Sequence, residues 1–268
     1  MIKIHSDDFP AIAYTKTGLG PVVVLLHGFP ENGGLWHNIV PALSVSYTVI
    51  VPDIPGAGNS VPLVSDTTSM EQLAHSIKAI IDNEHLDKVV LAGHSMGGYI
   101  ALAFADAYPE YVKGLCLIHS TAAADTEEKK ENRYKAIALI KKGGKESFLR
   151  NAIPNMFADR FKNEHPEIIE EQIKRGMQLA DNSMIAYYDA MAKRPGRQEV
   201  LKSTAFPVQW IFGKEDNLID FSNTLAQSRL NNISFVAVYE GCGHMSMLEA
   251  TDKLKFNIEE FASYCYNS

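Results

Sequence analysis

The sequence predicts an α/β protein, a mostly parallel sheet flanked by helices and interrupted once by an all-helical insertion. Three observations predict it. Short continuous apolar runs, such as Val22 to Leu26 and Val89 to Ala92, alternate with stretches whose apolar residues recur at helical spacing, the pattern of strands buried on both faces and joined by helical crossovers. The run Val89 to Ala92 enters the pentapeptide Gly93-His94-Ser95-Met96-Gly97, and a helix-like run leaves from Tyr99, so a strand turns sharply into a helix there. Between Thr121 and Arg197 the chain is charged, helical in pattern and without a strand signal. The economical division is a core of residues 1–120 and 198–268 and an insertion, 121–197, lying as a lid over the carboxyl edge of the sheet.

The elements follow in order. Ile2 to His5 and Ala11 to Tyr14 flank the turn signal Asp7-Asp8-Phe9-Pro10 and read as an antiparallel hairpin at a sheet edge. Val22 to Leu26 is a buried strand ending in His27-Gly28-Phe29-Pro30. A helix is expected over Leu35 to Leu43 and a buried strand over Tyr47 to Val51. The turn-rich loop Asp53 to Ser60 follows, in which Asp53 is read as a cap for nearby amides. Leu73, Ile77, Ile80 and Ile81 place one helix face on the sheet between Ser69 and Glu84, and Ser69 with Gln72 forms a capping-box signature. After the helix Tyr99 to Tyr108, stopped near Pro109, Gly114 to His119 is another buried strand. The insertion holds candidate helices at Glu127 to Lys142, Lys145 to Asn151, Pro166 to Ala180 and Ser183 to Lys193; Met156, Phe157, Met184, Tyr187, Tyr188 and Met191 are read as its own core rather than as pocket walls. The sheet resumes at Val208 to Phe212, continues at Ile233 to Tyr239, and the last helix is expected over Met247 to Tyr264.

Composition narrows the function. A formal charge of −7, from 25 Lys plus Arg against 32 Asp plus Glu, argues against nucleic acid and anionic membrane and favours a small-molecule substrate, uncharged and partly apolar. Three scattered cysteines form neither a disulfide framework nor a Cys-x-x-Cys site, and no His-x-x-x-His pair, G-x-G-x-x-G or phosphate-binding loop occurs, so neither metal nor nucleotide cofactor is expected. Residues Met1 to Asp8 have no signal-like apolar core and no run approaches membrane-spanning length, which makes a cytoplasmic protein the expectation.

The chemistry centres on Ser95. Glycines two before and two after it relieve the crowding of a strained strand-to-helix turn. A match of this kind arises by chance roughly 0.1 times in a chain this long, so other segments must support it. Loops that follow the strands' carboxyl ends share one edge of a parallel sheet, which brings together Phe29, Ser95, Asp216 and His244. A serine hydroxyl needs a base to become a nucleophile, and that base needs a carboxylate on its other nitrogen. His244, after the last strand in Gly241-Cys242-Gly243-His244, and Asp216, in Gly213-Lys214-Glu215-Asp216, meet these needs; Glu215 is the rival acid, and the spacing from Gly213 favours Asp216. The backbone N–H groups of Phe29 and Met96 are the candidate oxyanion donors. The His27 ring is read as structural and His94 as merely the variable residue of the pentapeptide.

Together, His27-Gly28-Phe29-Pro30, Asp53-x-x-Gly56-x-Gly58-x-Ser60, Gly93-His94-Ser95-Met96-Gly97, Gly213-x-x-Asp216 and Gly243-His244 resemble the α/β-hydrolase fold family over nearly the whole chain. That resemblance implies an eight-stranded sheet, a helical cap between strands six and seven, and cofactor-free hydrolysis through an acyl-enzyme. Haloalkane dehalogenases and soluble epoxide hydrolases of this family place aspartate where this chain has Ser95, which argues against both despite Phe29-Pro30. Serine suits a carboxylic ester hydrolase; lactonases, carbon–carbon bond hydrolases, cofactor-free haloperoxidases and perhydrolases, and small-molecule receptors of the same fold are the alternatives. Ile219 departs from the proline that many relatives carry after the acid loop.

Overall fold

The computed structural model describes residues 1–268. Its centre is an eight-stranded sheet in the order β1-β2-β4-β3-β5-β6-β7-β8. The strands are β1 (Ile2–Ile4), β2 (Ile12–Thr17), β3 (Val22–Leu26), β4 (Thr48–Asp53), β5 (Val89–His94), β6 (Val112–Ile118), β7 (Val208–Gly213) and β8 (Ser234–Tyr239). β2 runs antiparallel to both β1 and β4, as an edge hairpin should, and all other pairings are parallel. Every residue of β4, β5 and β7 is buried, which is why these strands read as unbroken apolar runs rather than as alternation. β8, the opposite edge, alternates exposed and half-buried positions because only one of its faces is covered.

The helices before the insertion are α1 (Val40–Leu43), α2 (Met70–Asn83) and α3 (Met96–Ala107). The continuous helix expected over Leu35 to Leu43 is instead a 3-10 turn at Gly33–Trp36 and the single turn α1. Pro41 has no N–H to donate to the His37 carbonyl, so the two pieces cannot join. α2 carries the reciprocal capping box: the Ser69 side chain accepts from Gln72 N at 3.1 Å, and the Gln72 side chain accepts from Ser69 N at 3.1 Å. α3 begins at Met96, directly after Ser95, rather than at Tyr99.

Six helices intervene between β6 and β7: α4 (Glu127–Lys141), α5 (Lys145–Ala152), α6 (Asp159–Glu164), α7 (Pro166–Gln178), α8 (Asp181–Lys193) and α9 (Gln198–Ser203). α4 packs on α5 and α8, α5 on α7, and α9 against α3 of the core. The remaining helices are α10 (Phe221–Gln227), α11 (Ser246–Glu249) and α12 (Thr251–Asn267). The last helix of the sequence reading is thus divided at Ala250, whose backbone at φ −145° and ψ 43° is not helical. α6, α9 and α10 carry no sequence expectation, since six or seven residues are too short to display a helical period.

Candidate active site

Ser95 is the residue between β5 and α3, and its backbone sits at φ +50° and ψ −114°, in the left-handed region that L residues avoid. The surroundings hold it there. Its N–H donates to Ile118 O at 2.9 Å, and its carbonyl accepts from the Ser120 hydroxyl at 2.9 Å. A Cβ at position 93 would lie 2.4 Å from Gly97 O, and one at position 97 would lie 2.4 Å from Leu26 O, so only glycine fits on either side of the turn.

The loop after β3 lies against this turn, with a Cβ at Gly28 falling 3.1 Å from Ser95 Cβ. His27 is structural, as read: its Nδ1–H donates to Gly28 O at 2.8 Å and its Nε2 accepts from Ile54 N at 3.0 Å. Asp53 accepts from Gly33 N at 2.8 Å and from Asn59 N at 2.7 Å, tying two loops together. Met96 is the first residue of α3, so its N–H has no acceptor within the helix.

His244 and Asp216 come together from the loops after β8 and β7. His244 Nδ1–H donates to Asp216 Oδ2 at 2.8 Å, while His244 Nε2 is buried and free of any hydrogen-bond partner. Asp216 Oδ1 accepts from the amides of Leu218 at 2.8 Å and Ile219 at 3.1 Å. Burial alone would raise the Asp216 carboxyl; the His244 charge and the hydrogen bonds from His119 and His244 overcome it and hold the group far below the carboxylate range. Burial likewise pulls His244 down, but the Asp216 charge and hydrogen bond outweigh it and leave the imidazole above its ordinary 6.5. Glu215 is exposed, and only its backbone N–H is engaged, with Cys242 O at 2.9 Å.

Four polar residues around this centre escaped the sequence reading. His119 Nδ1–H gives Asp216 Oδ2 a second hydrogen bond, at 3.2 Å. One ring nitrogen each of His119 and His244 and a carboxylate oxygen of Asp216 lie within 4.8 Å of one another, and both Nδ1–H groups donate to the one oxygen Asp216 Oδ2, which makes a hydrogen-bond network of the cluster. Glu249 accepts from Gly243 N at 3.0 Å and from Met245 N at 2.9 Å, pinning the amides on both sides of His244. His94, read as merely the variable residue of the pentapeptide, has a structural contact of its own: it is wholly buried, its Nε2–H donates to the His244 carbonyl at 2.9 Å, and its ring centroid lies 4.9 Å from that of His244. Its Nδ1 faces Glu31 Oε2 at 3.8 Å, and neither atom has another partner. No sequence period marks the His119, His94 and Glu31 contacts, since their partners lie on distant segments.

Burial pushes the Glu31 carboxyl up to about 7, against the lowering pull of the His244 charge and of the Glu31 and Gly28 amides. The folded state therefore keeps a proton that the unfolded chain releases near 4.5, and stability falls as pH rises from there to about 7. At about 1.36 kcal/mol per pKa unit, the full difference is on the order of 3 kcal/mol. Glu31→Gln removes this titration, so its melting temperature relative to the parent chain is expected to be more favourable at pH 8 than at pH 5. Parallel melts at the two pH values check this; an equal difference at both would contradict a buried, protonated Glu31.

A cavity of about 310 Å³ opens beside this centre, and Phe29, Ser95 and His244 line it together with residues of the helical insertion. Three of the apolar insertion residues read as its own core, Met156, Tyr188 and Met191, are cavity walls. The other three are packed inside: Phe157 and Met184 are fully buried, and the buried Tyr187 donates to Pro55 O at 2.6 Å. The division is a tertiary fact: neighbours such as Phe157 and Met156, or Tyr187 and Tyr188, fall on opposite sides of it. A larger cavity, about 510 Å³, lies near Val112, Pro207 and Ile233, where β6, β7 and β8 begin, and none of the residues just described lines it.

The sheet order, the turn at Ser95 and the carboxyl-edge site define a class of protein, and the chain belongs to the alpha/beta hydrolase fold family, whose model matches residues 21–251. Over 112 residues it is 38% identical to a pimeloyl-[acyl-carrier protein] methyl ester esterase of Aeromonas hydrophila, an alignment that spans 41% of this chain and only 42% of that protein. A protein of the same description from Pseudoalteromonas atlantica is 26% identical over 260 residues, 92% of this chain and 96% of the relative. Among solved structures, a thermophilic esterase from Thermogutta terrifontis superposes with a TM-score of 0.93 at 28% identity, covering 98% of each chain.

Proposed function

We propose that this protein is a serine hydrolase that cleaves a small carboxylic ester, or a related acyl bond, through an acyl-enzyme. The observation that carries the reading is the buried, partnerless Nε2 of His244, set on the same cavity as Ser95 while Nδ1 is bound to Asp216. Ser95 attacks the acyl carbonyl as His244 takes its proton; Asp216 holds the ring in the Nδ1–H tautomer and stabilises the imidazolium. The amides of Phe29 and Met96 receive the developing oxyanion. His244 then returns the proton to the leaving alcohol and activates the water that releases the acid. Residues 121–197 act as the cap that walls the substrate, and the core is residues 1–120 and 198–268. The esterases among its relatives support this activity. Three buried, unpaired cysteines, Cys116, Cys242 and Cys265, favour work in the reducing cytoplasm.

The test is covalent. A fluorophosphonate is expected to label Ser95 stoichiometrically, as read by peptide mass, and to abolish multiple turnovers on p-nitrophenyl acetate or butyrate. Labelling of a protein that never turns an ester over would favour a receptor or an acyltransferase instead.

A further inference from the structure

The cavity beside Ser95 has one charged wall, and α4 supplies it. Lys129, Asn132, Arg133 and Ala136 all line the cavity, and spacings of three and four place them on one helix face. Arg133 is held rather than free to swing: its Nε–H donates to Asp125, and its guanidinium stands 5.2 Å from the Tyr188 ring centroid. That Nε contact is its one hydrogen bond to the protein, so both Nη groups lack a protein acceptor although the side chain is only 17% exposed.

The charges on this wall do not balance. Asp125 is the carboxylate that pairs with Arg133, yet Arg194 Nη1 also rests on it at 2.8 Å. Two largely buried guanidiniums thus share one carboxylate. At the cavity rim, Lys129 adds a third cation whose Nζ donates to the Leu218 carbonyl at 3.0 Å rather than to any acid. A guanidinium that is largely removed from water, with its fork open toward a cavity, lacks the partner that its geometry matches best, a carboxylate taken by two parallel N–H bonds. The overall charge of −7 does not bear on this, because the local field is set by the nearest groups.

We infer that the substrate carries a carboxylate remote from its scissile ester, seated on the open fork of Arg133 with Lys129 at the rim. This rests on the reading of Ser95 as the nucleophile, and it replaces the uncharged substrate expected from composition with a half-ester of a small dicarboxylic acid or an ester of a hydroxy acid. The cavity holds roughly ten water volumes, enough for a short chain between the two groups.

Two matched pairs of substrates test it. On the acyl side, 4-nitrophenyl hydrogen glutarate is compared with 4-nitrophenyl pentanoate; on the alcohol side, 4-acetoxybutanoate is compared with butyl acetate. In at least one pair the parent enzyme is expected to favour the anionic ester by about tenfold or more in kcat/KM, and Arg133→Met to reduce that ratio at least tenfold. Arg133→Lys should restore part of it, and Lys129→Met, at an exposed position, should reduce it about threefold. A turnover-free arm uses Ser95→Ala: calorimetry should detect glutarate binding, lost in the Ser95→Ala, Arg133→Met double variant. Hydrolysis with no anionic preference in either pair and no glutarate binding would overturn the inference and leave the hydrolase intact. Glutarate binding that depends on Arg133 in a protein that hydrolyses no ester would instead uphold the anion site and overturn the nucleophile.

Discussion

Ser95→Ala is expected to lower kcat/KM on a p-nitrophenyl ester by about 10,000-fold or more while leaving the fold intact. The size follows from the role, because removing the nucleophile of a Ser-His-Asp set leaves only oxyanion binding and substrate positioning to accelerate attack by water. The intact fold follows from the geometry. Ser95 is held at φ +50° by its own backbone hydrogen bonds to Ile118 and Ser120, and alanine tolerates that conformation no worse than serine. Stability should change by less than about 0.5 kcal/mol, the range of a substitution that removes no packed or bonded group. Steady-state kinetics with a thermal melt on the same preparation checks both halves. Activity within tenfold of the parent would mean that another group attacks the ester.

Asp216→Asn is the second large effect. The substitution keeps shape and removes charge, and in a serine protease the equivalent change costs about 10,000-fold. Here Asp216 Oδ2 collects hydrogen bonds from two rings, His244 at 2.8 Å and His119 at 3.2 Å, so an amide at that position would point a hydrogen where an acceptor is needed. A loss in kcat of about 1,000-fold to 10,000-fold is expected. The pH profile has a definite sign. The base must be neutral to act, and Asp216 holds His244 above 6.5, so the parent enzyme loses kcat/KM as pH falls through a value above 6.5. Without the Asp216 charge the lowering effect of burial is opposed only by the weaker pull of Glu31 and Glu249, and the acid limb moves to lower pH. A profile of kcat/KM from pH 5 to 9 reads the shift. An unmoved limb with activity near that of the parent would remove Asp216 from the assignment.

Much of this molecule is legible in its sequence because the informative signals are local. Continuous apolar runs mark the strands that β4, β5 and β7 bury on both faces. Helical periods mark α2 and the long helices of the insertion, and glycines flanking Ser95 mark a turn that tolerates no Cβ on either side. Asp216 and His244 were found through position, each just past a strand, and not through any pattern joining them. Where local signals conflict or run short, the reading fails: Pro41 divides one expected helix, and α6, α9 and α10 are too brief to show a period.

By itself, then, the sequence determined the fold class and the strand-to-helix turn at Ser95, and it singled out Asp216 and His244 as the candidate acid and base, since each signal depends on residues within a few positions of one another and on the shared edge of a parallel sheet. Only the tertiary structure decided what surrounds them. It turned His94 from a variable residue into a support for the His244 carbonyl, set Glu31 beside it, and gave Asp216 a second histidine. It also divided the apolar insertion residues between cavity wall and core and placed Arg133 on the cavity wall with both Nη groups lacking a protein acceptor. The His94, Glu31 and His119 contacts join segments 63 to 150 positions apart, across which no periodicity or spacing carries information; packing alone sets them.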